Sequence, residues 1–156
     1  MSAIRGFSHA GIQVRDVERS VAFYELLGLT VAARWSTSEP YVQRVVGYPG
    51  VTLDVAVMAV PNSDAVIEIL EYRGVTGTPV DPATANPGTG HVCLLVDDLE
   101  ALHARLVARG VESVSAVQTP TAGPNTGGRV VYLKDPDGIR VELLQTTRTM
   151  AGAPRD

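Results

Sequence analysis

The feature that most constrains the fold is a repeat of landmarks between the two halves of this 156-residue chain. In each half a histidine is followed by an aspartate after seven positions and by a glycine after nineteen. The first set is His9, Asp16 and Gly28, and the second is His91, Asp98 and Gly110. Most of the residues between these landmarks differ. A repeat with conserved spacing indicates two copies of one supersecondary unit.

The landmarks predict how each half begins. Residues 9–14 and 91–96 are short apolar runs rich in β-forming residues, which is typical of strands. Asp16 and Asp98 can then cap a helix, because a carboxylate oxygen accepts from a free backbone N–H of the first turn. The glycine falls where the helix should end in a left-handed residue. We therefore expect a strand, a capped helix and a glycine stop in both halves.

Three further strands fit each half. They are predicted at residues 29–35, 51–60 and 65–72, and again at 111–118, 129–134 and 139–146. The fold class that follows is α+β, with two tandem βαβββ modules forming curved mixed sheets around a metal-binding cleft. The predicted boundaries are 1–73 for the first module, 74–90 for a Gly- and Pro-rich linker, 91–146 for the second module and 147–156 for a flexible tail.

Charge and composition exclude several classes of partner. The net charge of −4 gives no electrostatic reason to bind nucleic acid or an anionic membrane. No segment approaches the roughly 20 apolar residues of a membrane span, and the N-terminus lacks the apolar core of a signal peptide. Cys93 is the only cysteine, so no internal disulfide can form. The sequence predicts a cytoplasmic protein that acts on a small-molecule substrate.

Four residues form a candidate metal site. Glu68 and Glu142 each stand within an apolar strand, where an unpaired carboxylate would cost several kcal/mol. Each closes a half that opens with a strand histidine, His9 or His91. A single strand histidine is more often a core or surface residue, and a single strand glutamate usually faces solvent. Because the pattern recurs in both halves, we favour one shared divalent ion such as zinc, nickel, cobalt, manganese or iron.

Other polar residues carry weaker signals. His103 stands in the predicted second helix without a counterpart in the first half, so we expect an exposed residue outside the site. Glu71 points away from Glu68 and is either solvated or paired. Cys93 shares a strand face with His91 and either lines the site or is a small buried hydrophobe, which we favour.

Five segments together make the chain similar to the vicinal oxygen chelate superfamily, which includes glyoxalases, methylmalonyl-CoA epimerases, extradiol dioxygenases and bleomycin-resistance proteins. They are His9-Ala-Gly-Ile-Gln-Val, Ser20-Val-Ala-Phe-Tyr-Glu-Leu-Leu-Gly-Leu, Val66-Ile-Glu-Ile-Leu-Glu, Gly90-His-Val-Cys-Leu-Leu-Val-Asp-Asp and Leu133-Lys-Asp-Pro-Asp-Gly-Ile-Arg-Val-Glu-Leu. The resemblance covers residues 7–145 and implies the same four metal ligands, together with a homodimer.

The full His-Glu-His-Glu set most resembles the glyoxalase I and epimerase branch. That resemblance implies a lyase or isomerase whose metal holds two neighbouring substrate oxygens, while a base removes a proton next to a carbonyl and an enediolate forms. Glu142 is the candidate base. Gln43 stands where epimerases carry an extra glutamate, and its amide cannot act as a base. The candidate substrate contacts are Trp35, Gln43 and Tyr132, and Arg34, Arg44 and Arg129 are candidates for binding the carboxylates of glutathione.

Two alternatives stay open at this point. One is an antibiotic- or aromatic-ligand-binding resistance protein without catalysis, in which Trp35, Tyr41, Tyr48 and Tyr132 would be stacking walls. The other is an iron-dependent extradiol-type dioxygenase, for which the carboxylate at Glu68 is unexpected.

Overall fold

A computed structural model describes residues 3–146, and the predicted flexible tail at 147–156 lies outside them. The chain divides into two compact units, Met1–Pro79 and Val80–Asp156. The division falls inside the segment 74–90 that the sequence predicts as the linker. The exact module boundaries stay a prediction.

The first unit is a four-stranded sheet with two helices. Its elements are β1 (His9–Val14), α1 (Val17–Leu26), β2 (Thr30–Thr37), α2 (Pro40–Val46), β3 (Thr52–Ala59) and β4 (Val66–Arg73). The strand order is β1-β4-β3-β2. Strand β1 runs parallel to β4, and the other two pairings are antiparallel.

The second unit repeats this plan with fewer elements. It contains β5 (His91–Leu95), α3 (Leu99–Ala108), β6 (Arg129–Lys134) and β7 (Arg140–Gln145). The strand order is β5-β7-β6, with β5 parallel to β7 and β6 antiparallel to it. The predicted class, α+β with tandem related modules and mixed sheets, is confirmed.

The two ends of the repeated helix form as predicted. Asp16 and Asp98 accept from the backbone N–H groups of Arg19 and Ala101, both at 3.0 Å. Gly28 has a φ of 96° and Gly110 a φ of 83°, which is the left-handed conformation that glycine adopts without a Cβ penalty.

The last strand of each unit adds a second cap that the sequence did not predict. Glu71 Oε2 accepts from Val17 N, and Gln145 Oε1 accepts from Leu99 N, both at 3.0 Å. Each strand side chain therefore binds the first N–H of its own unit's helix. Of the two alternatives for Glu71, the paired one is confirmed.

One local prediction was wrong. Segment 111–118 forms only isolated bridges, Ser113 to Leu133 and Gln118 to Val130. Its polar side chains bond locally instead, with Ser115 and Gln118 both donating to the carbonyl of Ala116.

Helix α2 was not predicted, although its sequence signals are present: Pro40 stands at the start and Gly47 ends it with a φ of 79°.

The core of each unit lies between a helix and one face of its sheet. In the first unit the fully buried residues Tyr24, Met58 and Ile69 form part of it, and in the second Leu106 and Leu143 do so. Because side chains alternate along a strand, the opposite faces carry the candidate site residues. No helix in the range 3–146 is long and apolar enough to cross a membrane.

Candidate metal centre

The first histidine and glutamate form a pair on the face of the sheet that points away from α1. Strand β1 places His9 beside Val66, two residues before Glu68 on the neighbouring strand β4. The Nε2 atom of His9 lies 3.5 Å from Glu68 Oε2, and the two side chains are 45% and 24% exposed. Ser8 Oγ lies 3.2 Å from the other ring nitrogen of His9. The imidazole is thus held with its Nε2 toward the carboxylate.

The second pair repeats this arrangement on strands β5 and β7. The Nε2 atom of His91 lies 3.0 Å from Glu142 Oε2, and the two side chains are 39% and 16% exposed. The hydroxyl of Tyr132, on β6, lies 3.1 Å from the same carboxylate oxygen and 3.2 Å from His91 Nε2. This pair is therefore closer and less exposed than the first.

The distances within each pair fit two ligands of one cation. Neighbouring ligands at about 2.0–2.2 Å from an ion lie roughly 3–3.5 Å apart, and the two nitrogen–oxygen distances are 3.0 and 3.5 Å. Imidazole nitrogen with carboxylate oxygen is also a donor set that zinc and its neighbours accept. Within the described part of each unit, no group of three or more His, Cys, Asp and Glu side chains is arranged to hold a metal. The four-ligand set stays a prediction.

Two groups beside Glu142 are held in their protonated form. Partial burial and the Glu142 carboxylate raise the pKa of Tyr132 to about 12. The same two causes raise the pKa of Cys93 to about 12. Cys93 is exposed and lies directly across from Glu142 on the neighbouring strand. The expectation of a buried cysteine was wrong, because the face that carries His91 and Cys93 is left open.

The chain's family follows from a match along most of its length. Residues 6–143 match the model of the Glyoxalase/Bleomycin resistance protein/Dioxygenase superfamily. The chain belongs to this superfamily.

Three known proteins illustrate what the chain is similar to. A probable lactoylglutathione lyase of Vibrio parahaemolyticus is 30% identical over 148 residues, covering 92% of this chain and 93% of that protein. A glyoxalase family protein from Bacillus cereus superposes with a TM-score of 0.78 at 22% identity, covering 94% and 98% of the two chains. TnmS3, an antibiotic binding protein from a Streptomyces strain, superposes with a TM-score of 0.61 at 25% identity, covering 94% and 100%.

Trp35, the first predicted substrate contact of this glyoxalase-like chain, lies on the face that carries the first pair. It is the cross-strand partner of Val55, which in turn pairs with Leu70, two residues after Glu68. Directly opposed residues share a face of the sheet. The indole is 45% exposed and so is available to a ligand.

Gln43, another predicted contact, is bonded to its own surroundings. Its amide nitrogen donates to the carbonyls of Ser38 at 2.9 Å and Val51 at 3.4 Å, and its amide oxygen accepts from Gly50 N at 2.9 Å. These bonds join α2 to the segments before and after it. A role in substrate binding stays a prediction for Gln43.

Two of the three candidate arginines lie on the helix side of their sheets. Arg34 is the cross-strand partner of buried Ala56 and forms an ion pair with Glu18 of α1. Arg129 is opposite Gln145 and lies 3.8 Å from Glu100 of α3. Both therefore point away from the face that carries their unit's His–Glu pair. Arg44 is exposed in the last turn of α2.

His103 differs from its expected surroundings. It is half-buried, and its Nε2 lies 2.6 Å from Ser113 Oγ. The bond joins α3 to the segment that replaces the missing strand. The prediction of an exposed side chain was wrong, because Ser113 comes close to the helix only in the folded unit.

Proposed function

We propose that this chain is a divalent-metal-dependent lyase or isomerase of the glyoxalase type, acting on a small substrate with oxygens on neighbouring carbons. The observation that carries the proposal is the recurrence of the His–Glu pair. In each sheet the pair lies on the face turned away from the repeated helix, with distances of 3.5 and 3.0 Å that suit two ligands of one ion. The lactoylglutathione lyase among the relatives supports the reaction class.

The proposed ligands are His9, Glu68, His91 and Glu142, and the ion is zinc, nickel, cobalt, manganese or iron. A histidine binds metal as neutral imidazole and a glutamate binds as carboxylate. When bound, the ion would supply a Lewis acid for the two neighbouring oxygens of the substrate.

Glu142 is the proposed catalytic base. One of its carboxylate oxygens would take the proton from a hydroxyl-bearing carbon next to a carbonyl and return it to the carbonyl carbon, while the hydroxyl proton passes to the former carbonyl oxygen, so that the substrate is isomerised without loss of atoms. The exposed ring of Trp35 and the ring of Tyr132 are the proposed apolar contacts of the substrate.

We propose that the site binds the vicinal oxygens of its substrate, and we propose no binding of glutathione. The name of the Vibrio relative places a lactoyl thioester in that protein's reaction, and such a thioester carries a hydroxyl and a carbonyl on neighbouring carbons. Arg34 and Arg129, which the sequence offered for the glutathione carboxylates, are paired with Glu18 and Glu100 on the helix sides of their sheets. We therefore assign no particular thiol compound as the carrier of the substrate.

Metal content tests the proposal directly. We expect protein purified without chelator to carry one divalent ion per chain, and a folded Glu142→Gln variant to lose most of it, because that change removes one anionic ligand. The matched control is Glu25→Gln, an exposed glutamate of α1. Elemental analysis measures the ion, and circular dichroism checks the fold. A metal-free wild type whose thermal midpoint is unchanged by chelator contradicts the proposal.

A second candidate function is ligand sequestration without catalysis. The resemblance to TnmS3 favours it, and so do the exposed rings of Trp35, Tyr41 and Tyr48. Trp35 is the only tryptophan of the chain, so its fluorescence reports a stacked ligand directly. Micromolar quenching by an aromatic antibiotic, unchanged by chelator, would support this candidate. Quenching that needs the metal would instead support the enzyme.

A further inference from the structure

The two glutamates of the repeated pairs occupy equivalent strand positions but have different neighbours. On each sheet the glutamate lies on a strand that has a neighbouring strand on both sides, so one residue stands opposite it on either side. Glu68 lies between Gly11 and Val57, whereas Glu142 lies between Cys93 and Tyr132. Glycine and valine side chains offer no hydrogen-bond donor, while a thiol and a phenol each offer one.

The phenol of Tyr132 uses its donor on Glu142. Its oxygen lies 3.1 Å from Glu142 Oε2 and 3.2 Å from His91 Nε2, and these two atoms are 3.0 Å apart. The three atoms therefore form a closed triangle. Since an ionised carboxylate only accepts, the phenol is the donor to Glu142. The rings of Tyr132 and His91 also meet edge to face, with centroids 5.1 Å apart.

Within residues 3–146 no cross-strand neighbour donates to the carboxylate of the first pair, and its geometry is looser. The His9–Glu68 distance is 3.5 Å, against 3.0 Å in the second pair, and Glu68 is more exposed than Glu142. A carboxylate with a fixed hydrogen-bond donor has fewer orientations to lose when a ligand binds. Both pairs have the same two residue types. They therefore differ in how firmly the glutamate is held before a ligand binds.

We propose that Tyr132 is a positioning residue, whose hydroxyl holds the Glu142 carboxylate against His91 and so preorganises one of the two pairs for the cation. This inference rests on the proposed function. It separates the roles of the two glutamates: Glu142 is held before the ion arrives, and Glu68 is ordered by the ion.

Cobalt binding by calorimetry tests the inference. We expect Tyr132→Phe, which keeps the ring and removes the hydroxyl, to weaken the affinity for Co²⁺ about tenfold, the size typical of a lost partner behind a metal ligand. The matched control is Tyr72→Phe, which removes a hydroxyl from the first unit and keeps the ring that packs on Tyr48. It should leave the affinity unchanged. An unchanged affinity in Tyr132→Phe would overturn the proposal.

A double-mutant cycle shows whether Tyr132 acts through Glu142. In a Glu142→Gln background the tyrosine change should cost no further affinity, because the carboxylate that it holds is gone. In a Glu68→Gln background the tenfold loss should remain. An equal loss in both backgrounds would mean that the hydroxyl acts on something other than Glu142, and the inference would be wrong.

A metal-independent cycle separates this inference from the proposed function. In chelator, the effects of Tyr132→Phe and Glu142→Gln on urea unfolding should be non-additive, and those of Tyr132→Phe and Glu68→Gln additive. Additivity in the first combination overturns the Tyr132 contact whether or not the protein binds cobalt. A wild type that binds no cobalt overturns the proposed function, and the contact between Tyr132 and Glu142 is still decided by unfolding.

Discussion

Asp135, in the turn before β7, has a side chain that is only 4% exposed. Its Oδ1 accepts from the backbone N–H groups of Asp137 at 2.9 Å and Ile139 at 2.8 Å. Its Oδ2 is buried and has no hydrogen-bond partner within residues 3–146. Burial is the main cause that raises the pKa of this carboxyl from 3.8 to about 6. The sequence places this segment between two predicted strands, while the burial of its first aspartate depends on the folded unit.

Stability should therefore fall as Asp135 ionises. Between about pH 4 and pH 6 the folded carboxyl keeps its proton while the unfolded one loses it, so folding takes up a proton and a rise in pH weakens the fold. Below this window both forms are protonated, and above it both are ionised. The loss across the window is up to about 3 kcal/mol.

Urea unfolding between pH 4 and pH 7.5 measures this effect. We expect Asp135→Asn to flatten that part of the pH dependence, because its amide cannot ionise and its oxygen can still accept from the same N–H groups. The control is Asp64→Asn, an exposed loop position. Identical pH profiles for Asp135→Asn and the wild type would show that the buried carboxyl does not titrate in this range.

Among single residues, the sequence identified the ligand candidates and missed their partners. His9 and His91, like Glu68 and Glu142, were recognised because each pair recurs at matched positions. The contact of Tyr132 with Glu142 joins residues ten apart on different strands, and no local pattern specifies that register. Cys93 was misassigned for a related reason, since exposure depends on what covers a strand face.

Among elements, the repeated strand–helix start was predictable because its signals are local. Capping aspartates and left-handed glycines act within one turn of the helix that they bound. The additional caps from Glu71 and Gln145 connect residues 54 and 46 positions apart, so only the folded sheet brings them to the helix. The segment 111–118 shows the opposite case, in which local side-chain bonds replaced a predicted strand.

Helix α2 supports a prediction about Gln43. The three hydrogen bonds of its amide go to backbone groups around the helix, so Gln43→Leu should lower the free energy of unfolding by about 1 kcal/mol, the net contribution of a typical hydrogen bond. Metal content should not change. Urea unfolding and elemental analysis measure the two effects, and the control is Arg44→Leu on the exposed side of the helix. A loss of activity without a loss of stability would instead support the predicted substrate contact.

For the whole molecule, the superfamily relationship covers residues 6–143, and both units have related strand orders around a parallel first pair. The predicted fold class needed only the repeat of landmarks and the strand patterns. The homodimer, the cytoplasmic location and the identity of the metal stay predictions, because each depends on partners or surroundings outside a single chain.

The sequence by itself determined the repeat, the ends of both repeated helices and the four candidate ligands, since these follow from residue type and short spacing. Only the tertiary structure decided which side chains stand beside each ligand. It placed a phenol and a thiol next to Glu142 and left Glu68 between a glycine and a valine. The physical reason is that strand register is set by packing over the whole sheet, which brings distant residues together.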